Sequence, residues 1–185
     1  MNSIIITIDG PAASGKGTIS KKISEDFNFY YLETGIYYRA LASLFSKEQS
    51  ENFQLSVFIA NLNKKEFQEF VINDKDLYNP KISKLASKLA KILDVRTFIV
   101  TLQQDAINSL DKKFNGIILE GRDCGTVIAP QAHIKIFLTS NVQIRAKRRF
   151  NQYVKDGNNI SYEKVLNDLK ERDAQDQNRK YSPLQ

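Results

Sequence analysis

The chain has 185 residues, 42% of them hydrophobic, 26% charged and 10% aromatic, the balance of one globular unit or two small ones, which excludes a disordered or fibrous protein. A chain of this length can bury roughly 70% of its unfolded surface, so it needs no disulfide or structural metal, and the single cysteine, Cys124, and single histidine, His133, could supply neither. The net charge of +6 is unevenly placed: residues 141–185 hold 10 Lys and Arg against 6 Asp and Glu, which directs anion binding toward that last quarter.

The N-terminus has no basic leader, and no segment approaches the ~20 apolar residues of a membrane span, so an unexported, cytoplasmic chain is expected. In chain order, Ile4 to Ile8 is a β-branched run closed by Asp9-Gly10-Pro11 and reads as a buried strand. A helix follows from Thr18 to Asn28, with Ile19, Ile23 and Phe27 at helical spacing, and then a second short strand from Phe29 to Leu32. Ile117 to Leu119 and Ile134 to Leu138 are two more strands. Strand, turn and helix repeated in this way predict an α/β fold with a parallel sheet.

Between Gly35 and Asn115 the rhythm changes to mostly helical pattern, with one segment, Glu66 to Tyr78, that reads as a hairpin centred on Asn73-Asp74. This stretch looks like an inserted helical subdomain. After the last strand, Ser140 with Gln143 predicts a capping box for a helix to about Lys155. A loop at Asp156 to Asn159 follows, and Ser161 caps a final helix to about Asp176.

Three of the eight glycines fall in Gly10-Pro11-Ala12-Ala13-Ser14-Gly15-Lys16-Gly17-Thr18, directly between the first strand and the first helix. Glycine lets the backbone curl so that successive N–H groups point inward, and the helix N-terminus adds its positive end to the same anion site. Lys16 would meet the β- and γ-phosphates of a nucleotide, and the Thr18 hydroxyl would lie near a phosphate or the Mg²⁺ shell. A chance glycine turn is the plain alternative, and the flanking strand and helix argue against it. Gly17 departs from the strict G-K-[ST] form and puts the hydroxyl one residue later.

The chain resembles the bacterial cytidylate (CMP/dCMP) kinases through separated motifs in the expected order over essentially its whole length. They are Ile8-Asp9-Gly10-Pro11 with Gly15-Lys16-Gly17-Thr18, Thr34-Gly35-Ile36-Tyr37-Tyr38-Arg39, and Gly121-Arg122-Asp123-Cys124-Gly125-Thr126-Val127. Lys135 to Leu138, Arg145 to Arg149, and Glu171-Arg172-Asp173 with Asp176 and Arg179 complete the set. The resemblance implies a P-loop NTPase core with a parallel sheet flanked by helices, formed by residues 1–33 and 113–185. It also implies a monophosphate-binding insert over 34–112 and a short lid near 145–160. The implied reaction moves the γ-phosphoryl group of ATP to CMP or dCMP, giving ADP and CDP or dCDP in pyrimidine nucleotide metabolism. A kinase of UMP or AMP, or a nucleotide binder without turnover, are the alternatives.

Several roles follow from the resemblance alone. Lys16, Arg122, Arg148 and Arg172 are the implied catalytic residues, and residues 10–18 the implied ATP loop. Arg39 and Arg122 grip the substrate phosphate, Arg172 meets its phosphate or ribose, Asp176 the ribose hydroxyls and Arg179 the base. Asp123 faces the cytosine amino group, while Ser87 and Arg96 stand in the region that carries a serine and an arginine at the base. Thr34 stands where the kinases usually have serine and keeps the hydroxyl. Ala12 replaces another serine, so one phosphate hydrogen bond is expected to be missing.

Arg172, Asp176 and Arg179, at i, i+4 and i+7, share one helix face; without the family, that is more simply a solvated, salt-bridged face. Arg145, Arg148 and Arg149 occupy i, i+3 and i+4, either as a basic surface or as lid arginines over the transferring phosphoryl group, and spacing does not say which points inward. Glu120 either orients a metal-bound water or is structural. Mg²⁺ is expected to be held mainly by phosphates and water. The expected partners are ATP and CMP or dCMP, with no nucleic acid, because the basic residues lack interleaved aromatics, no membrane, and a monomeric chain. The chain stops at Tyr181 to Gln185, before the family's final strand and helix, so four parallel strands with an exposed edge are expected where the family has five.

Overall fold

The computed structural model describes residues 3–47, 54–73, 76–155 and 157–185. Among these residues four strands, β1 (Ile4–Asp9), β2 (Phe29–Glu33), β3 (Gly116–Gly121) and β4 (Ile134–Phe137), form one sheet in the order β2-β3-β1-β4. Parallel pairing sets Ile4 opposite Gly116 and runs in register to Asp9 opposite Gly121, while on the other side Ile6 to Asp9 face Ile134 to Phe137. The sheet is the four-stranded parallel one expected. The central strands are buried through Ile6, Ile8, Ile117, Ile118 and Leu119, as a parallel sheet with covered faces requires. β4, at the edge, is exposed at all four positions.

The register has a direct consequence for function. Asp9 and Gly121 end their strands side by side, so the glycine-rich loop and the Gly121-Arg122-Asp123 turn leave the same edge of the sheet, the edge where parallel α/β sheets bind ligands.

The chain divides into two compact units, one of residues 1–32 and 110–185, the other of 33–109. In the first, α1 (Lys16–Phe27) follows the loop, and α7 (Val142–Lys155) packs along α8 (Tyr162–Asn178). The α1 pattern is only partly used for packing: Ile23 joins Ile6, Ile8, Phe29 and Ile118 in the core, whereas Ile19 and Phe27 stay exposed. In the second unit, α2 (Gly35–Lys47), α3 (Leu55–Asn61), α4 (Lys64–Asn73), α5 (Pro80–Leu89) and α6 (Leu93–Asn108) pack helix on helix, with α2 against α4 and α5 and α3 against α6.

Three local expectations are corrected. The segment predicted as a hairpin is α4 followed by a single 3-10 turn, Asp76–Tyr78. Phe67 and Val71, four residues apart, are both buried, so a helical stripe outweighs the turn signal at Asn73; Asp74 lies outside the described residues. The cap of α7 is Asn141 rather than Ser140: its Oδ1 accepts the Gln143 N–H at 2.8 Å. α8 runs to Asn178, capped at its start by Ser161, whose Oγ accepts the Lys164 N–H. Arg179 therefore follows the helix end in extended backbone and is not on the helix face. Of the predicted loop, Asp156 lies outside the described residues.

Candidate active site

The loop after β1 has the backbone of an anion cradle. Ala13 and Gly15 take left-handed conformations, φ 58° and 99°, and α1 starts at Lys16 with no side-chain cap on its first N–H groups. Such a turn presents backbone donors and a positive helix end to one point. Gly10 is required for a different reason: a Cβ there would stand 2.0 Å from the Leu138 carbonyl oxygen. The Ala12 side chain is buried in an apolar cluster with Ala146, Val165 and Leu169, a place where a hydroxyl would need a partner. Ser14 is buried, while Thr18, in the first turn of α1, is exposed.

Lys16 is 3% exposed. Its Nζ donates to the Pro11 carbonyl at 2.8 Å and to Ser14 Oγ at 3.4 Å, and lies 3.8 Å from Glu120 Oε1. Burial above all, with the charge of Arg122 next, lowers the ammonium from 10.5 to about 7; Glu120 and Asp9 pull the other way and Arg172 adds to the lowering. A phosphate arriving here would supply the negative charge that the buried ammonium lacks. Glu120 is itself held, since the Tyr31 hydroxyl donates to its Oε2 at 2.6 Å. A Cβ at Gly17 would come within 3.4 Å of the same oxygen and 3.5 Å of the Tyr31 hydroxyl.

The turn after β3 is nailed from both ends. The Asp9 carboxylate accepts the Cys124 and Gly125 N–H groups at 2.9 and 2.8 Å, fixing a one-turn π helix, Cys124–Ile128. Arg122 Nε donates to Asp176 Oδ2 at 2.9 Å, and Arg179 Nη2 lies 3.2 Å from Asp123 Oδ1. The four residues expected to meet substrate thus join the β3 turn to α8 and the residue after it. Burial opposes the charge on Arg122, but Asp176, with Glu120 and Asp173 behind it, more than offsets this and raises its pKa. Arg172 on α8 acts on Lys16 through its charge.

The three arginines of α7 have different surroundings. Arg145 is buried and committed to protein: Nη2 is 2.6 Å from Asp173 Oδ2, Nη1 donates to the Ala12 carbonyl and Nε to that of Ser140. Arg148 points toward the loop, its Nη1 3.7 Å from where a Cβ on Gly15 would stand. Arg149 lies over the Tyr153 ring and donates to Gln152 Oε1, both on its own helix.

In the second unit, Arg39 on α2 is ion-paired through Nη1 to Glu33 Oε1 and lies over the Tyr78 ring, 4.9 Å from its centroid. The Tyr78 hydroxyl donates to the other Glu33 oxygen at 2.8 Å. Arg96 is buried on α6, donates to the Ala90 carbonyl and lies over Tyr38, and Ser87 is half-buried on α5. Thr34 is buried, its carbonyl accepting from Gln103 Nε2 at 3.0 Å. Glu33, Tyr78, Tyr31 and Gln103 carry no sequence signal of their own, and Asp173, though inside the Glu171-Arg172-Asp173 motif, is given no role by it; only their partners reveal them.

A sequence model of the family described as cytidylate kinase matches residues 6–185. The chain belongs to the cytidylate kinase family. Among its relatives, "Cytidylate kinase" of Bartonella bacilliformis is 41% identical over 184 residues, covering 100% of this chain and 83% of that protein. "Cytidylate kinase" of Fusobacterium nucleatum is 40% identical over 193 residues, covering 100% and 86%. Among solved structures, that of TT1252 from Thermus thermophilus aligns with a TM-score of 0.50 at 19% identity, over 99% of this chain and 87% of that one, a likeness of fold. No helix among the described residues is long and apolar enough to cross a membrane. Family membership agrees with the motifs: in the first unit the sheet register brings the loop and the Gly121–Asp123 turn to one edge, and the Arg122–Asp176 pair joins α8 to that turn.

Proposed function

We propose that this protein transfers the γ-phosphoryl group of ATP to CMP or dCMP, giving ADP and CDP or dCDP. The observation that carries this reading is the family match over residues 6–185. The geometry of the loop supports it. Lys16, the uncapped start of α1 and the left-handed turn at Ala13 and Gly15 form a site for the β- and γ-phosphates. Arg148 and Arg172 carry positive charge toward the loop, suited to oxygens that gain charge as the phosphoryl group transfers.

The nucleophile is an oxygen of the monophosphate, ionised already, so the new bond to γ-phosphorus forms as the bridge to ADP breaks and no general base is needed. The single histidine agrees with this, because His133 Nδ1 accepts the Ile5 N–H at 3.0 Å in the sheet. Catalysis is then positioning and charge neutralisation. On the acceptor side, Arg39 and Arg122 hold the monophosphate, Asp123 and Arg179 read the cytosine edge, and Asp176 takes the ribose hydroxyls. Arg122, Asp123, Asp176 and Arg179 exchange their mutual ion pairs for substrate. Arg96 and Ser87 complete the base side.

Mg²⁺ fits this site as a partner of the nucleotide. The donor set, Glu120 and the exposed Thr18 hydroxyl, is too small for a protein cage, and no group of three metal-binding side chains occurs among the described residues. That suits an ion that keeps its waters and is held mostly by phosphate oxygens; when bound it neutralises phosphate charge. We read the protein as a monomer in the cytoplasm that acts on small molecules and not on nucleic acid; the one buried, free cysteine supports the reducing compartment.

ADP release measured with ATP, Mg²⁺ and each of CMP, dCMP, UMP and AMP tests the proposal. Turnover strongest with CMP or dCMP, and lost in Lys16→Ala, is expected. Preference for UMP or AMP would assign another monophosphate, and no turnover in a folded chain that binds ATP would sink the enzyme reading.

A further inference from the structure

We propose that Glu33 and Tyr78 are positioning residues that hold Arg39 ready for the substrate phosphate, gripping its guanidinium by one edge and one face. The inference rests on the reading that Arg39 meets the monophosphate. Three elements supply the parts: Glu33 ends β2, Arg39 lies in the second turn of α2, and Tyr78 closes the 3-10 turn between α4 and α5. One Glu33 oxygen takes Arg39 Nη1, the other takes the Tyr78 hydroxyl at 2.8 Å, and the Tyr78 ring lies under the guanidinium at 4.9 Å. Each of the three groups contacts the other two.

The arrangement fixes direction. Arg39 Nη1 lies 3.7 Å from where a Cβ on Gly35 would stand, so the side chain folds back over the N-terminus of α2 instead of extending from the helix. The positive helix end and the guanidinium then face the same place, a combination that favours an anion. A guanidinium has five N–H donors, and a carboxylate at Nη1 leaves others for a phosphate. An arginine otherwise loses rotamer freedom when it engages a ligand. Fixing it beforehand with a carboxylate and an aromatic face removes that loss from the binding step.

The groups also explain each other's identity. The cation over the Tyr78 ring gives this exposed aromatic a stable contact, and the tyrosine hydroxyl stops Glu33 from rotating to take Arg39 with both oxygens. A bidentate pair would consume the fork that phosphate needs. Glu33 is thereby a one-point anchor and not a competitor.

Steady-state kinetics of the full chain decide the matter, with CMP varied at saturating ATP and ATP varied at saturating CMP. Glu33→Gln and Tyr78→Leu are each expected to raise KM for CMP about tenfold, with kcat within about twofold and KM for ATP unchanged. Tyr78→Phe, which keeps the ring, raises it less. Because both act through Arg39, Glu33→Gln combined with Arg39→Ala raises KM no further than Arg39→Ala alone. Tyr78 is more than half exposed, so its variants fold, and equal melting temperatures check this. Wild-type KM for CMP in Glu33→Gln and Tyr78→Leu, with a raised KM in Arg39→Ala, would overturn the clamp alone. A lowered KM in Glu33→Gln would make Glu33 a competitor and overturn it too. A wild-type KM in Arg39→Ala would instead overturn the reading of Arg39 itself.

Discussion

The two units hold their arginines by different means. Around the loop, Arg122, Arg145 and Arg179 are each matched to a carboxylate from another element, Asp176, Asp173 and Asp123. In residues 33–109, Arg39 and Arg96 each lie on a ring face, of Tyr78 and Tyr38, and Arg39 keeps a single-point ion pair with Glu33 besides. A carboxylate partner neutralises a buried cation, but a ligand anion must then displace it or share it. A ring face steadies the cation and leaves its charge available. Burial with charge pairing therefore makes a rigid, high-field site in the first unit, and aromatic support makes a pre-aimed one in the second.

The largest effect expected is at Lys16. Lys16→Ala should lower kcat by about a thousandfold or more, read by coupled ADP release, since the ammonium is a buried cation within the loop itself. The contrast within α7 comes next. Arg145→Ala strands Asp173 and two carbonyls and should cost about 3 kcal/mol of stability in denaturant titration, as large a loss as a core cavity. A stable Arg145→Ala would break the claim that charge pairing organises the first unit.

The lowered Lys16 value gives a proton signature. Near pH 8 the free protein holds Lys16 mostly neutral, with its pKa at about 7, and bound phosphates favour the charged form. ATP binding should then take up roughly one proton, measured by calorimetry in two buffers of different ionisation heat and absent in Lys16→Ala. Below pH 7 both folded and unfolded chains hold the proton and the burial cost is fully present. Between about 7 and 10.5 the unfolded chain alone keeps it, so this group's contribution to stability rises with pH.

In the second unit, Gln103→Leu leaves the buried Thr34 carbonyl without its donor and should cost about 1–2 kcal/mol, read as a lower melting temperature. Smallest of all, Arg149→Ala should stay within about 0.5 kcal/mol of the parent, because its contacts are local and exposed.

Much of the first unit could be read in advance. A loop that needs left-handed backbone and a close strand approach must use glycine, and β-branched runs that end in such turns leave few alternatives to buried strands. The roles of the α7 arginines could not be read. Arg145, Arg148 and Arg149 differ by one helical turn at most, and only partners far along the chain, such as Asp173 and the Ala12 carbonyl, separate them. The same holds for Tyr31 and Glu120, joined across 89 residues, and for Glu33 and Tyr78, joined across 45. The hairpin reading failed because Asn73-Asp74 is a local turn signal, whereas the burial of Phe67, Val71 and Leu77 is decided by tertiary packing.

Cys124 gives the molecule a built-in reporter. It is the chain's one cysteine, 0% exposed, and its N–H is held by Asp9 at the turn that carries Arg122 and Asp123. A thiol reagent can reach it only when that turn lifts from the sheet, so the rate of labelling times local opening at the substrate side without any engineered probe.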